Sequence, residues 1–437
     1  MNEVTLDAYV GRYAARTRGM SASEIRALFA VASRPEVVSL AGGMPFTSAL
    51  DYDAVAAVAE EVIRSHGPTA LQYGAGQGLP ELRERLAGVM AAEGAPAHGD
   101  DLLVTVGGQQ GLDLIAKLFI DPGDVVLAEG PSYVGALGAF SAYEADVVHV
   151  PMDEDGLVVD AVEDVLARLV AAGRRVKFLY TIPNHQNPAG VSLSQDRRVR
   201  LAELVARHDL LLVEDNPYGL LDFKAILRPP LRSLVPERTL YVGTLSKIFS
   251  PGIRVGWVHA PGPVRDKLVL LKEAADLCQS NLTQFVAERW LATQPWMQQV
   301  ETFREVYRER CDAMLEELAE HLPEGCTWTA PTGGFFVWVR LPETMDTKIL
   351  LASALTARVA YVPGRAFFAD GTGKNWLRLS FCFPTADQIR EGVRRLGSVI
   401  TAEQELATAL LGPTRDLGAT RATGLGATGL GAQESPA

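Results

Sequence analysis

Lys247 stands in Thr244-Leu245-Ser246-Lys247, directly after the apolar run Thr239-Leu240-Tyr241-Val242-Gly243, and Arg254 follows in Ile253-Arg254-Val255-Gly256. Two hydroxyls and a guanidinium suit a phosphate. A primary amine suits a carbonyl, because only lysine among the side chains forms a Schiff base with one. The chain holds 8 lysines against 33 arginines, so this amine is not one of a lysine-rich surface. A surface lysine in a loop is the plain alternative for this segment alone.

Other segments add to the pattern. Thr105-Val106-Gly107-Gly108-Gln109-Gln110-Gly111 follows a predicted strand and opens a predicted helix. Glycines there turn backbone N–H groups toward an anion at a helix N-terminus, although glycine turns before helices are common. Glu129-Gly130-Pro131-Ser132-Tyr133 places Tyr133 to stack on a flat ring, or simply in the core. Pro183-Asn184-His185-Gln186-Asn187-Pro188 is an amide-rich loop in which Asn187 could bond a phenolic oxygen; His185 reads as structural. Val213-Glu214-Asp215-Asn216-Pro217-Tyr218 ends an apolar strand with an acid. A buried aspartate needs a partner, and a protonated pyridine nitrogen is one; a helix-capping Asp is the alternative. Tyr218 would donate beside Asn187. Arg378, in Trp376-Leu377-Arg378-Leu379-Ser380, offers a fork for a carboxylate or pairs with a surface acid. An aldehyde, a phosphate and a ring nitrogen on one small molecule describe pyridoxal 5'-phosphate. The spacing of histidines and cysteines predicts no metal site.

The elements that must hold these residues read as alternating strands and helices. Leu102–Val106, Asp124–Ala128, Ala145–Val150, Val176–Tyr180, Leu210–Val213 and Leu240–Val242 are predicted strands, and Gln109–Phe119 a helix. Short apolar runs between helices predict an α/β domain with a mostly parallel sheet buried on both faces. Ligands then bind beyond the carboxyl ends of the strands, where every motif above falls. A long helix over Gln298–Ala319, the strands Gly334–Val339 and Trp376–Phe381 and a helix over Thr385–Ile400 predict a second, α+β domain. The expected division is residues 1–52, packing with the smaller domain; 53–297, the large domain; 298–405, the small domain; and 406–437, a Gly/Ala/Thr-rich disordered tail.

The 437 residues are 48% hydrophobic and carry a formal charge of -12, with no basic stripe, which argues against a nucleic-acid partner. Four scattered cysteines predict neither a disulfide framework nor a zinc site. Without a signal-peptide pattern or a membrane-spanning apolar run, the expected location is the cytoplasm.

Taken together, the segments resemble the class I/II aminotransferases of fold type I, nearest the 2-aminoadipate/aromatic aminotransferase branch. The resemblance runs from about Ser21 to Gly397 and includes Ser39-Leu40-Ala41-Gly42-Gly43, Gly74-Ala75-Gly76-Gln77-Gly78, Pro331-Thr332-Gly333-Gly334 and Val362-Pro363-Gly364. It implies a large domain with a mostly parallel seven-stranded sheet. It implies that Lys247 binds the cofactor aldehyde and shuttles the proton. Asp215 would pair with the pyridine nitrogen, Asn187 and Tyr218 with the phenolic oxygen, and Tyr133 would stack. Gly108, Gln109, Thr244, Ser246 and Arg254 would hold the phosphate. Tyr73 would reach the phosphate of a partner subunit in a homodimer. Asn187 and Arg378 would bind the substrate α-carboxylate, with Gly43 lining the pocket. Gly108 stands where the family often has serine; Cys278 and Arg365 are departures that could alter the substrate pocket.

The implied reaction is ping-pong transfer of an amino group between an L-amino acid and a 2-oxo acid, with 2-oxoglutarate as the expected acceptor. Arg26, on a helix that can swing over the substrate, could pair with a distal carboxylate; Phe46, Phe335 and Phe367 favour aromatic or branched side chains. Decarboxylation, elimination or oxidation on the same cofactor is the alternative chemistry. A regulator is the alternative class, but it needs a basic DNA-binding domain that this sequence does not display.

Overall fold

The computed structural model describes residues 7, 9–17 and 34–411. Arg26 lies outside the described residues, as does the sequence beyond Leu411. The first strand, β1 (Val38–Ser39), belongs to a small pair treated below.

The main sheet contains β2 (Leu102–Thr105), β3 (Val125–Gly130), β4 (Asp146–Asp153), β5 (Gly156–Leu157), β6 (Val176–Thr181), β7 (Leu212–Asp215), β8 (Thr239–Thr244) and β9 (Gly256–His259). Their spatial order is β2-β9-β8-β7-β6-β3-β4-β5. The central pairs β8/β7, β7/β6, β6/β3 and β3/β4 are parallel, while β9 runs antiparallel to both β2 and β8. The sheet has one strand more than the seven expected. The extra one is the two-residue β5, which folds back on β4 as an antiparallel edge; so short a segment leaves no readable hydrophobic pattern.

The central strands are continuous apolar runs because helices cover both faces. Along β3, Val126 and Ala128 join one core cluster, and Val125 and Leu127 the other. This alternation is the period-two pleat of a strand buried on two sides. Since β2 and β8 both oppose β9, the carboxyl ends of β2, β3, β6, β7 and β8 emerge on one edge. The turn into β9 starts from that same edge.

The C-terminal part holds an antiparallel sheet, β10 (Thr327–Trp328), β11 (Phe336–Arg340), β14 (Trp376–Ser380) and β13 (Val362–Pro363), in that order. Helices Trp296–His321 and Ala386–Leu411 pack on each other beside it. The last helix runs past the expected Ile400 to Leu411. β1 pairs in parallel with β12 (Val359–Ala360), and the Ser380 N–H donates to the Leu40 carbonyl at 2.7 Å. These contacts lay residues 38–46 along the small sheet and aim them at the edge where the strands end. No helix among the described residues is long and apolar enough to cross a membrane.

Candidate active site

A cavity of about 430 Å³ opens where the strand ends meet the small sheet. Twelve residues singled out in the sequence line it: Gly43, Gly108, Gln109, Tyr133, Asn187, Asp215, Tyr218, Thr244, Ser246, Lys247, Arg254 and Arg378. Tyr73 does not; it is 77% exposed in the coil between helices Tyr52–Ala70 and Pro80–Ala92. Cys278 and Arg365 are also absent from the lining, and Arg365 is paired with Asp346 at 2.8 Å.

One end of the cavity is built for an anion. β2 passes through Gly107 into the helix Gly108–Phe119, whose first N–H groups have no partner within the helix. Gly107 has φ 73°, and a Cβ there would lie 2.4 Å from Nη2 of Arg254. Only glycine therefore allows both the turn and the approach of the guanidinium. Arg254 donates to the carbonyls of Val106 (3.0 Å) and Pro251 (3.1 Å). Thr244 Oγ1 donates to Ser246 Oγ at 2.9 Å. Among the described residues no carboxylate is ion-paired with Arg254. Backbone donors, two hydroxyls and an uncompensated guanidinium thus face one spot.

Deeper in, Asp215 ends β7 and is 6% exposed. Its Oδ2 accepts from the Tyr180 hydroxyl at 2.8 Å. Burial pushes the Asp215 carboxyl up to about 7, against the Tyr180 hydrogen bond, and nearby Glu129 adds to the rise. Lys247 Nζ donates to the Gly43 carbonyl at 3.0 Å and sits 5.3 Å from the Phe335 ring centre. Burial brings this amine down to about 8, with Arg378 and Arg254 pushing the same way. An amine that is part neutral near neutral pH can attack a carbonyl.

At the small-sheet side, Arg378 is 3% exposed and has no ion-pair partner among the described residues. Nη1 donates to Asn187 Oδ1 and Nη2 to the Ala41 carbonyl, each at 2.8 Å, and the guanidinium stacks 4.1 Å from the Phe336 ring centre. Its Nε has no partner. A buried cation left this short of acceptors fits an incoming carboxylate.

The loop carrying Asn187 is fixed from two sides. Glu129 is buried and accepts from the Thr181 hydroxyl, the Ile182 N–H (3.1 Å) and Gln186 Nε2 (3.0 Å). Arg198, also buried, donates to the Pro183 carbonyl (2.7 Å) and Asn184 Oδ1 (2.6 Å).

Sequence reasoning missed Tyr180, Phe336, Met44 and Ile182. A tyrosine directly after the apolar pair Phe178-Leu179 in β6 was the available signal for Tyr180, since a buried hydroxyl needs a partner. Phe46, Phe335 and Phe367 were singled out for the substrate wall, but Phe336 is the phenylalanine that lines it. Adjacent strand residues point to opposite faces, and only the placement of β11 decides which one meets the cavity.

The model of the family "Aminotransferase class I and II" matches residues 36–396. The aromatic-amino-acid aminotransferase 1 of Thermococcus litoralis is 41% identical over 403 residues, which are 92% of this chain and 96% of the relative. The 2-aminoadipate transaminase of Thermus thermophilus is 38% identical over 385 residues, 87% of this chain and 94% of the relative. Among solved structures, the chain is similar to the α-aminoadipate aminotransferase LysN of Thermus thermophilus complexed with N-(5'-phosphopyridoxyl)-L-leucine. That likeness has a TM-score of 0.85 and 36% identity, covering 91% of this chain and all of the other.

The donor set fits pyridoxal phosphate. The helix N-terminus, hydroxyls and Arg254 suit its phosphate, the buried acid its ring nitrogen and the Lys247 amine its aldehyde. The chain belongs to the class I and II aminotransferases, and it is a fold type I, pyridoxal phosphate-dependent enzyme that transaminates amino acids.

Proposed function

We propose that this aminotransferase prefers L-amino acids with apolar or aromatic side chains and passes the amino group to 2-oxoglutarate. The observation that carries this reading is the distribution of charge around the cavity. Its lining has three cations, Lys247, Arg254 and Arg378. The cofactor aldehyde, the phosphate and the substrate α-carboxylate would use one each. The remaining wall includes Met44, Leu112, Val134, Ile182 and Phe336, which favours a side chain that leaves water for an apolar surface. A distal carboxylate, as in 2-oxoglutarate, glutamate or 2-aminoadipate, would need a further cation, for which Arg26 is the sequence candidate. The apolar wall would then serve the donor side chain and Arg26 the acceptor, with the dicarboxylic amino acids as the second class of donor. The names of the Thermococcus and Thermus relatives agree with both classes.

When bound, pyridoxal phosphate supplies the carbonyl that condenses with amines and an electron-withdrawing ring. The chain does the rest. Gly108 and Gln109, Thr244, Ser246 and Arg254 bind the phosphate, and Tyr133 covers one ring face. Asn187 and Tyr218 donate to the phenolic oxygen, and Asp215 holds a proton on the ring nitrogen. Arg378 and Asn187 orient the α-carboxylate beside Gly43. Lys247 Nζ would hold the aldehyde and, when free, would take the proton from the substrate Cα as general base and give it back as general acid. Residues 53–297 carry the cofactor and 298–405 close over the substrate. Exposed Tyr73 and its neighbour Leu71, 68% exposed, are suited to a second copy, and a cytoplasmic homodimer is the working form.

An anaerobic absorbance titration tests the reading. Phenylalanine, leucine, valine, alanine, glutamate and 2-aminoadipate are added singly, followed by 2-oxoglutarate. Phenylalanine or leucine should convert the cofactor fastest, and 2-oxoglutarate should restore it. Conversion by glutamate and 2-aminoadipate alone would overturn the apolar preference.

A further inference from the structure

We propose that Tyr180 is a positioning residue that aims the Asp215 carboxylate at the ring nitrogen of the cofactor. The proposal rests on the reading of Asp215 given above.

The geometry follows from strand register. Tyr180 on β6 is paired with Val213 on the parallel strand β7. Paired residues share a face of the sheet, and so do residues two apart on one strand. Tyr180, Val213 and Asp215 therefore lie on the same face, with Asp215 one step further toward the cavity. Two residues along a strand span roughly 6.5 Å. A phenol crosses that gap, whereas a serine or threonine hydroxyl would fall short. The ring is wholly buried and packs edge-on against Phe140 at 5.4 Å, which sets the direction of the hydroxyl.

The Tyr180 hydroxyl is the one side-chain donor to Asp215 among the described residues. It has a single proton and gives it to Oδ2, so that bond ties one carboxylate oxygen to Tyr180, which is not among the cavity-lining residues. Asp215 itself lines the cavity, and no described side chain donates to its Oδ1. Burial drives the phenol well above its usual range, so it stays a donor throughout the working pH range. Burial also works against the charge on Asp215, and a donor at Oδ2 opposes that by stabilising the anion, the form able to keep a ring nitrogen protonated.

The test is Tyr180→Phe, which removes one oxygen and keeps the packing ring. Full-length protein stripped of cofactor is titrated with pyridoxal phosphate and with its 1-deaza analogue, in which a C–H replaces the ring nitrogen. Wild type and Asp215→Asn are carried alongside. We expect the variant to bind pyridoxal phosphate about tenfold more weakly, as for loss of one hydrogen bond to a charged group, and the deaza analogue as wild type does. Equal weakening for both ligands would assign Tyr180 a merely structural role and overturn the proposal, as would no change for either. If Asp215→Asn keeps the wild-type preference for the nitrogen-containing ring, the reading of Asp215 falls as well. If Asp215→Asn loses that preference while Tyr180→Phe keeps it, only the role of Tyr180 falls.

Discussion

Arg378 Nη1 donates to Asn187 Oδ1 at 2.8 Å, joining residues 191 positions apart and tying the small sheet to a loop of the large one. The bond occupies the carbonyl of the Asn187 amide and leaves its Nδ2 to donate into the cavity. Arg378→Lys keeps the charge, but its single nitrogen has three donors and no planar fork, so it cannot hold Asn187 and the Ala41 carbonyl and still bind a carboxylate in bidentate fashion. We expect kcat/KM to fall on the order of 100-fold, as when one member of a buried charge pair is lost, with cofactor affinity unchanged. Steady-state kinetics and a cofactor titration check this; an unchanged KM for the amino acid would remove Arg378 from the carboxylate site.

Lys247→Ala should lose multiple turnover entirely, whereas a positioning lysine would leave slow catalysis behind. In the wild-type protein the amine is brought down to about 8 by burial. The neutral amine is the nucleophile, so cofactor loading should speed up as pH rises and level off above about 8. Stopped-flow absorbance across pH 6 to 10 measures it. A plateau reached only near the ordinary lysine value would contradict the assigned environment.

Gly107→Ala should weaken the anion end selectively. The new Cβ meets the Arg254 guanidinium at 2.4 Å, and the backbone is held at φ 73°, a strain of order 1–3 kcal/mol for a residue with a side chain. Affinity for pyridoxal phosphate should drop more than affinity for pyridoxal, which lacks the phosphate. Parallel losses for the two ligands would show that Gly107 serves the fold and not the phosphate.

Glu93 gives a pH signature in stability. Burial raises its carboxyl to about 8 from 4.5, opposed by the hydroxyl of Tyr241. The folded state therefore holds this proton where the unfolded chain has released it. The stability it supports is present below about 4.5 and is lost as pH climbs to about 8. Glu93→Gln keeps an acceptor for Tyr241 and cannot ionise. Its unfolding midpoint should drop less than that of wild type between pH 5 and pH 8, by the equivalent of a few kcal/mol. Matching pH slopes in the two proteins would refute the assignment.

Much of the site can be read locally because three of its motifs sit at the carboxyl end of a main-sheet strand. Lys247 follows β8, Asp215 ends β7, and Gly108 opens the helix after β2. In a parallel sheet these carboxyl ends share one edge, so local order already brings the groups together. Tyr73 had no such anchor: its partner would lie on a second copy, and the single chain leaves it exposed.

The sequence by itself determined the alternation of strands and helices, the cofactor-like donor set and the family. All of these are carried by short segments whose residue types act on their immediate neighbours. The tertiary structure decided what crosses between segments. It set the register that brings the Tyr180 hydroxyl to Asp215, placed Phe336 rather than Phe335 on the cavity wall, and laid the Gly43 carbonyl against Lys247. Such contacts depend on strand order and on the docking of one sheet against another. Those are settled by the packing of the whole core, and no single segment encodes them.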